Sequence, residues 1–261
     1  MKYIDIHSHL GFDDYGTDQK EVIKRMQDAD VATIVVGADL ESSKEAVKVA
    51  TENENIWACV GMHPNDNPTE VFNEKNYEEL VKNPKVVAIG ECGLDYFFKD
   101  ESLALEGLSL EKVKQKQKEN FIKQIEFAIK YKKPLMLHIR DAHDDAYEIL
   151  KKYEGKVFGN LHFFTSSLKN AERFIGLGFT ISFPGIITYL RDFDKVIKSI
   201  PLDKIHAETD SPYASPLPHR GERNEPSYVI EVYKKIAEIR GEDPEKVRLQ
   251  LLENAKKVFS I

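Results

Sequence analysis

Residues 3–9 have the sequence YIDIHSH, a short β-branched run that ends in two histidines. Alternate residues of a strand share one face, so His7 and His9 are predicted to point together from the end of this strand. Two imidazoles on one face suit a single metal ion. The stretch therefore predicts a strand that carries chemistry at its carboxyl end.

The same rhythm continues along all 261 residues, with short apolar runs separated by longer amphipathic stretches such as Leu110 to Tyr131. This alternation is typical of βα units around a parallel sheet. The predicted strands are Tyr3 to His7, Ala32 to Val36, Ile56 to Gly61, Val86 to Glu91, Leu135 to Ile139, Val157 to Phe163, Thr180 to Phe183 and Ile205 to Glu208. Eight strands in a chain of this length predict an α/β fold, a single-domain (β/α)8 TIM barrel spanning residues 1–261.

Two irregularities interrupt or end this rhythm. Lys99 to Ser109 falls just after the fourth predicted strand and is expected to form a loop near the site. Pro226 to Ile261 is predicted to form two helices broken at Gly241 to Pro244, with Asp243 as the cap of the second.

The composition and the distribution of apolar residues disfavour a secreted protein, a membrane protein and a protein with a broad phosphate-binding surface. The amino terminus lacks the uninterrupted apolar segment of a secretory signal, and no later segment has the length and apolarity of a membrane span. Two cysteines, Cys59 and Cys92, both in apolar segments, favour a reducing cytoplasm. A net charge of −7 works against a broad phosphate-binding surface, so any nucleic acid must be held locally.

Ligand-type residues stand at the ends of several further strands. Glu91 follows an apolar run, where an uncompensated carboxylate would be unfavourable. His138, His162 and Asp210 lie at or near the ends of the fifth, sixth and eighth strands. A single such histidine is more often structural, but the carboxyl ends of barrel strands converge on one rim. We therefore expect these residues to form a shared metal site.

Six segments together resemble the TatD family of metal-dependent deoxyribonucleases, within the amidohydrolase-like barrels. They are DIHSHL at 5–10, GMHP at 61–64, GECGLDY at 90–96, HIRDA at 138–142, ETDSPY at 208–213 and RGERNEP at 220–226. The sixth-strand segment departs from the family's usual HCFTG, because residues 162–166 are HFFTS. The ligand survives this departure, but the neighbouring pocket is expected to differ.

The resemblance implies two divalent metal ions, with Mg²⁺, Zn²⁺ or Mn²⁺ as candidates. The implied ligands of one ion are His7, His9, Glu91 and Asp210, and those of the second are Glu91, His138 and His162. Glu91 would bridge them. His63 is implied to contact phosphate rather than metal.

The implied activity is hydrolysis of DNA, at single-stranded regions or 3′ ends. An activated water would attack phosphorus, with Asp210 as both ligand and general base and Glu91 as the shared catalytic carboxylate. The oligomeric state stays open, with a monomer as one alternative.

Other polar and aromatic residues are candidates for substrate contact or support. Arg140, Arg220 and Arg223 could clamp phosphates, or they could be solvated surface residues. Tyr96 and Tyr213 could stack on bases or simply pack. Asp5 and Glu208 share the alternation of the ligands, so they could support ligand imidazoles or bond within the core.

Two alternative functions remain at this point. A barrel hydrolase of small esters or amides could use the same ligands, although Glu91 occupies the place where many such enzymes carry a carboxylated lysine. A non-catalytic metal-binding barrel is the second alternative, but structural sites usually leave no position open.

Overall fold

The computed structural model describes residues 1–65, 70–97 and 109–261, and its described strands form one parallel eight-stranded sheet in sequence order. The strands are β1 (Tyr3–Ser8), β2 (Val31–Val36), β3 (Ile56–Val60), β4 (Val86–Asp95), β5 (Leu135–Arg140), β6 (Gly159–Leu161), β7 (Thr180–Phe183) and β8 (Ile205–Ala207). The sheet curves into a nearly closed barrel, as predicted. Just beyond β8, the Asp210 amide donates to the His7 carbonyl at 2.9 Å, and the His9 amide donates to the Ser211 carbonyl at 2.8 Å.

Helices separate the strands and pack against the outside of the sheet. They are α1 (Gln19–Asp28), α2 (Leu40–Glu52), α3 (Glu74–Val81), α4 (Leu110–Tyr131), α5 (His143–Lys151), α6 (Leu168–Gly176), α7 (Asp194–Ser199), α8 (Val229–Arg240) and α9 (Pro244–Phe259). Short 3₁₀ helices occupy Asp13–Asp18, Gly185–Thr188, Leu202–Lys204 and Pro226–Tyr228. Among the helices that the structure describes, none combines the length and apolarity needed to cross a membrane.

The predicted carboxyl-terminal helices are confirmed. α8 ends at Arg240, the next residue Gly241 adopts a left-handed φ of 64°, and Asp243 caps α9 by accepting the Lys246 amide at 2.9 Å. α9 closes the amino-terminal end of the barrel, where Asn254 donates to the Leu202 and Ile205 carbonyls. The predicted insertion at Lys99 to Ser109 lies outside the described residues except for Ser109.

Strand boundaries differ from the prediction in two places that matter for the site. β4 continues past Glu91 to Asp95 and is buried at every position. This is expected for a barrel strand, because one face packs against helices and the other against side chains in the barrel interior. β6 is shorter than predicted, because it ends at Leu161 and Phe163 adopts a left-handed φ of 46°. His162 therefore lies just beyond its strand.

The barrel interior is apolar toward the amino-terminal ends of the strands and polar toward their carboxyl ends. Residues of β1 to β5 form one apolar cluster with α9, and its members include Ile6, Ile34, Met136 and Phe259. His206 packs near Phe259, with ring centroids 6.1 Å apart, and neither ring nitrogen has a hydrogen-bond partner. Burial lowers the pKa of His206 from 6.5 to about 3, so the ring is neutral in the folded protein.

This buried histidine predicts a specific acid sensitivity. Below its ordinary pKa of 6.5 the unfolded chain binds a proton that folded His206 binds only near pH 3, so stability should fall as pH drops between these values. His206→Leu should reduce this slope by up to about 1.4 kcal/mol per pH unit. Urea unfolding of metal-free wild type and variant across this window measures the difference, and equal slopes would contradict the prediction.

Candidate metal centre

Glu91 lies at the centre of a cluster of ligand-type side chains at the carboxyl end of the barrel. Its Oε2 is 3.3 Å from His7 Nε2 and 3.7 Å from His9 Nε2. Its Oε1 is 2.8 Å from both His138 Nδ1 and His162 Nε2. The two oxygens of one carboxylate therefore face two separate pairs of imidazoles.

Asp210 completes the first of these groups. Its Oδ1 is 3.4 Å from His9 Nε2 and 3.6 Å from His7 Nε2, and the two histidine nitrogens are 3.3 Å apart. With metal–nitrogen bonds of about 2.0–2.1 Å, ligand atoms of a tetrahedral shell lie about 3.4 Å apart. The structure thus brings together all six predicted metal ligands, and the spacings of 3.3–3.7 Å in the first group match such a shell.

The hydrogen bonds on the far side of two rings set which nitrogen faces the centre. His9 Nδ1 is 2.9 Å from the Val36 carbonyl oxygen, and His138 Nε2 is 3.0 Å from Asp95 Oδ2. Both oxygens are acceptors, so these nitrogens carry the proton when the ring is neutral. In the neutral rings the opposite nitrogens present lone pairs toward Glu91, so a proton or a metal cation must lie between the two groups. The donor set therefore fits divalent metal ions.

The charges within the cluster favour an ionised Glu91. Burial would raise the pKa of Glu91, but the charges of His162, His63 and His7 and the hydrogen bond with His138 hold it well below its usual value. Burial would lower the pKa of His162, but the charges of Glu91 and Glu208 raise it well above its usual value. In His7 burial prevails, and the pKa is lowered.

The two acidic residues predicted as supports have different surroundings. Asp5 accepts hydrogen bonds from the Thr209 amide and hydroxyl and from the His7 amide, so it connects β1 to the segment after β8 without contacting an imidazole. Glu208 is fully buried, and its Oε1 lies 3.7 Å from His162 Nδ1. Of the two, only Glu208 is placed beside a candidate ligand ring.

A cavity of about 460 Å³ opens over the cluster. Its lining residues are His9, Phe12, Ala38, His63, Glu91, His138, Ile139, Arg140, His162, Phe163, Thr165, Asp210 and Tyr213. His63 Nε2 is 3.6 Å from Glu91 Oε1, and Tyr213 is 50% exposed at the opening. Two of the predicted substrate contacts, His63 and Arg140, therefore reach the site.

The other two predicted arginines are placed elsewhere. Arg223 donates to Asp18 at 2.8 Å and to the Asp14 carbonyl, and the Arg220 guanidinium lies 4.4 Å from the centre of the Tyr189 ring. Neither is among the residues that line the cavity. Tyr96 also packs away from it, with its hydroxyl donating to Asp145 at 2.7 Å.

Asp95 is a site residue that was not predicted from the sequence. The signal was present, because Glu91, Gly93 and Asp95 are alternate residues of one strand and therefore share a face. Asp95 was missed because the predicted strand ended at Glu91, whereas β4 continues to Asp95.

Comparison with known proteins shows the family of the chain. The family model for TatD-related DNases matches residues 4–260. The chain belongs to this family. It is 38% identical to the metal-dependent hydrolase YabD of Bacillus subtilis, over 98% of each chain. It is 33% identical to the metal-dependent hydrolase YcfH of Escherichia coli K12, over 100% of this chain and 97% of YcfH.

A solved structure extends the agreement to three dimensions. The crystal structure of YjjV, a TatD homologue from Escherichia coli K12, superposes with a TM-score of 0.88 at 29% identity and covers 100% of this chain and 98% of YjjV. The chain is thus a metal-dependent hydrolase with the TatD barrel fold.

Metal binding should compete with protons. Burial opposes protonation of His9, His138 and His162, but neighbouring carboxylates outweigh it and raise the pKa of each ring. These rings hold protons up to a higher pH than usual, so apparent metal affinity should fall as pH drops through the raised values, with protons released on binding. Calorimetric titration in buffers of different ionisation enthalpy measures the release, and a pH-independent affinity without release would contradict this.

Asp95→Asn should weaken metal binding while leaving the fold intact. The amide can accept from His138 Nε2 but lacks the charge that supports the ring, so metal affinity should fall about 10- to 100-fold. Competition with a metallochromic chelator measures it. Asp141→Asn, at an exposed position just beyond β5, is the matched control and should bind metal like wild type.

Proposed function

We propose that this chain is a deoxyribonuclease that hydrolyses phosphodiester bonds at the ends of single-stranded DNA, with two divalent cations at the candidate metal centre. The observation that carries the proposal is the Glu91 carboxylate, whose two oxygens face two separate pairs of imidazoles. That geometry suits a bridging ligand. Two adjacent cations are a recurrent arrangement for in-line displacement at phosphorus.

The proposed ligand assignment follows the two faces of Glu91. His7, His9, Asp210 and Glu91 would hold the first ion, and Glu91, His138 and His162 would hold the second. When bound, such ions lower the pKa of water to about 7 and neutralise charge on a phosphoryl oxygen.

Asp210 is the proposed general base. Its side chain is 14% exposed and lines the cavity, so it can contact a water molecule there. Burial would raise its pKa, but the hydrogen bond with His9 and the charges of His7 and His162 lower it, so the group is ionised. No covalent intermediate with the protein is required.

His63 and Arg140 are the proposed phosphate contacts, because both line the cavity beside the ligands. Arg140 has five donors in a planar fork that matches phosphate oxygens. The cavity also supports catalysis over a purely structural metal site, because structural sites have closed coordination shells. Here the ligands of both groups border open space.

The test is hydrolysis of short end-labelled single-stranded DNA by chelator-treated protein resupplied with Mg²⁺, Mn²⁺ or Zn²⁺. We expect metal-dependent shortening from one end, and Glu91→Gln should reduce it about 100-fold or more, because the shared ligand loses its charge. Glu238→Gln, at a carboxylate that is 65% exposed on α8, is the matched control and should retain activity.

The same metal-resupplied protein distinguishes the deoxyribonuclease from the alternative, a hydrolase of small esters or amides. The cavity volume of about 460 Å³ also suits a small molecule. If folded, metal-loaded protein cleaves no DNA with any ion but hydrolyses small esters or amides in a Glu91-dependent way, the nuclease proposal is wrong and the chain is a small-substrate hydrolase.

A further inference from the structure

Two consecutive residues, His162 and Phe163, line the same cavity. In a regular strand, consecutive side chains point to opposite faces. His162 and Phe163 nevertheless face the same cavity, because β6 ends at Leu161 and Phe163 adopts the left-handed φ of 46°. The backbone thus turns at this residue and brings the ring to the side of the candidate ligand.

This conformation is uncommon for a bulky side chain, and a buried network holds it in place. The Phe163 amide donates to Glu208 Oε1, and the Ser182 hydroxyl donates to Glu208 Oε2 at 2.6 Å. Asn160 Nδ2 in turn donates to Ser182 Oγ at 2.7 Å. Glu208 is fully buried, so the turn is anchored within the barrel.

Phe163 is not part of the hydrophobic core. The next residue, Phe164, packs in the core with 2% exposure, and its ring centroid is 6.3 Å from that of Phe183. Phe163 is only partly buried and faces a cavity rich in imidazoles and carboxylates. An unusual backbone conformation that presents an aromatic ring to a polar site is a feature to be explained by a ligand.

We propose that Phe163 is a specificity-determining residue that stacks on the nucleobase of the nucleotide whose phosphate is cleaved. This deepens the proposed DNA hydrolysis and rests on it. Every nucleobase has a planar π face, and stacking on one aromatic side chain changes affinity roughly 5- to 150-fold. The subsite therefore selects for the presence of a base adjacent to the scissile phosphate, with little preference among bases.

The test compares two end-labelled single strands of DNA that differ only at the terminal nucleotide, which is a deoxyadenosine in one and an abasic tetrahydrofuran in the other. Metal-loaded wild type should cleave the first with a kcat/KM about 10-fold higher or more. Phe163→Leu should bring this ratio close to one, mainly by raising KM for the base-bearing strand. Phe163→Tyr restores a ring and should keep the ratio, and Phe158→Leu, at an exposed phenylalanine before β6, is the matched control.

An unchanged ratio in Phe163→Leu, with cleavage intact, would overturn the stacking proposal while leaving DNA hydrolysis standing. A strand with terminal 2-aminopurine gives a readout that does not need turnover. Its fluorescence should be quenched on binding to wild type and recover in Phe163→Leu. If no strand is cleaved, DNA hydrolysis is wrong, and the quenching alone decides the contact: fluorescence that is the same with wild type and variant overturns it.

Discussion

A buried carboxylate surrounded by imidazoles is the constraint on which the site depends. Glu91 is 4% exposed, and its two oxygens lie within 3.7 Å of nitrogens of five histidine rings. Such a charge is stable in the interior only with compensating partners. The backbone around it is built for close approach, because Gly93 has a φ of 144° and a Cβ there would collide with the His138 carbonyl. β4 and β5 can therefore place Glu91 and His138 in contact.

The barrel brings together residues that are far apart in the chain. The bonds of Asp5 to Thr209 and of the His9 amide to Ser211 join the first strand to the segment after the last one. That junction places His7 and His9 beside Asp210. The rings are then oriented from behind, His9 by the Val36 carbonyl and His138 by Asp95. The orientation of these candidate ligand rings thus depends on groups that lie behind them.

The positive charges near the opening of the cavity are not all directed into it. Arg140 lies on its wall with its guanidinium 3.7 Å from the centre of the Phe97 ring, whereas Arg223 is paired with Asp18 outside the cavity. A chain with a net charge of −7 has little general attraction for phosphate. If the substrate is DNA as proposed, local contacts at the opening would have to supply the affinity for its phosphates.

The sequence by itself determined the fold class, the eight strands and the six clustered ligand-type residues, because strand periodicity and polar residues at strand ends are local signals. Family membership also followed from short motifs. Only the tertiary structure decided which nitrogen of His9 and His138 faces Glu91, that Asp95 supports His138, that Phe163 turns into the cavity, and that Arg220 and Arg223 stay outside it. These features depend on irregular backbone and on partners distant in the chain, which periodicity does not encode.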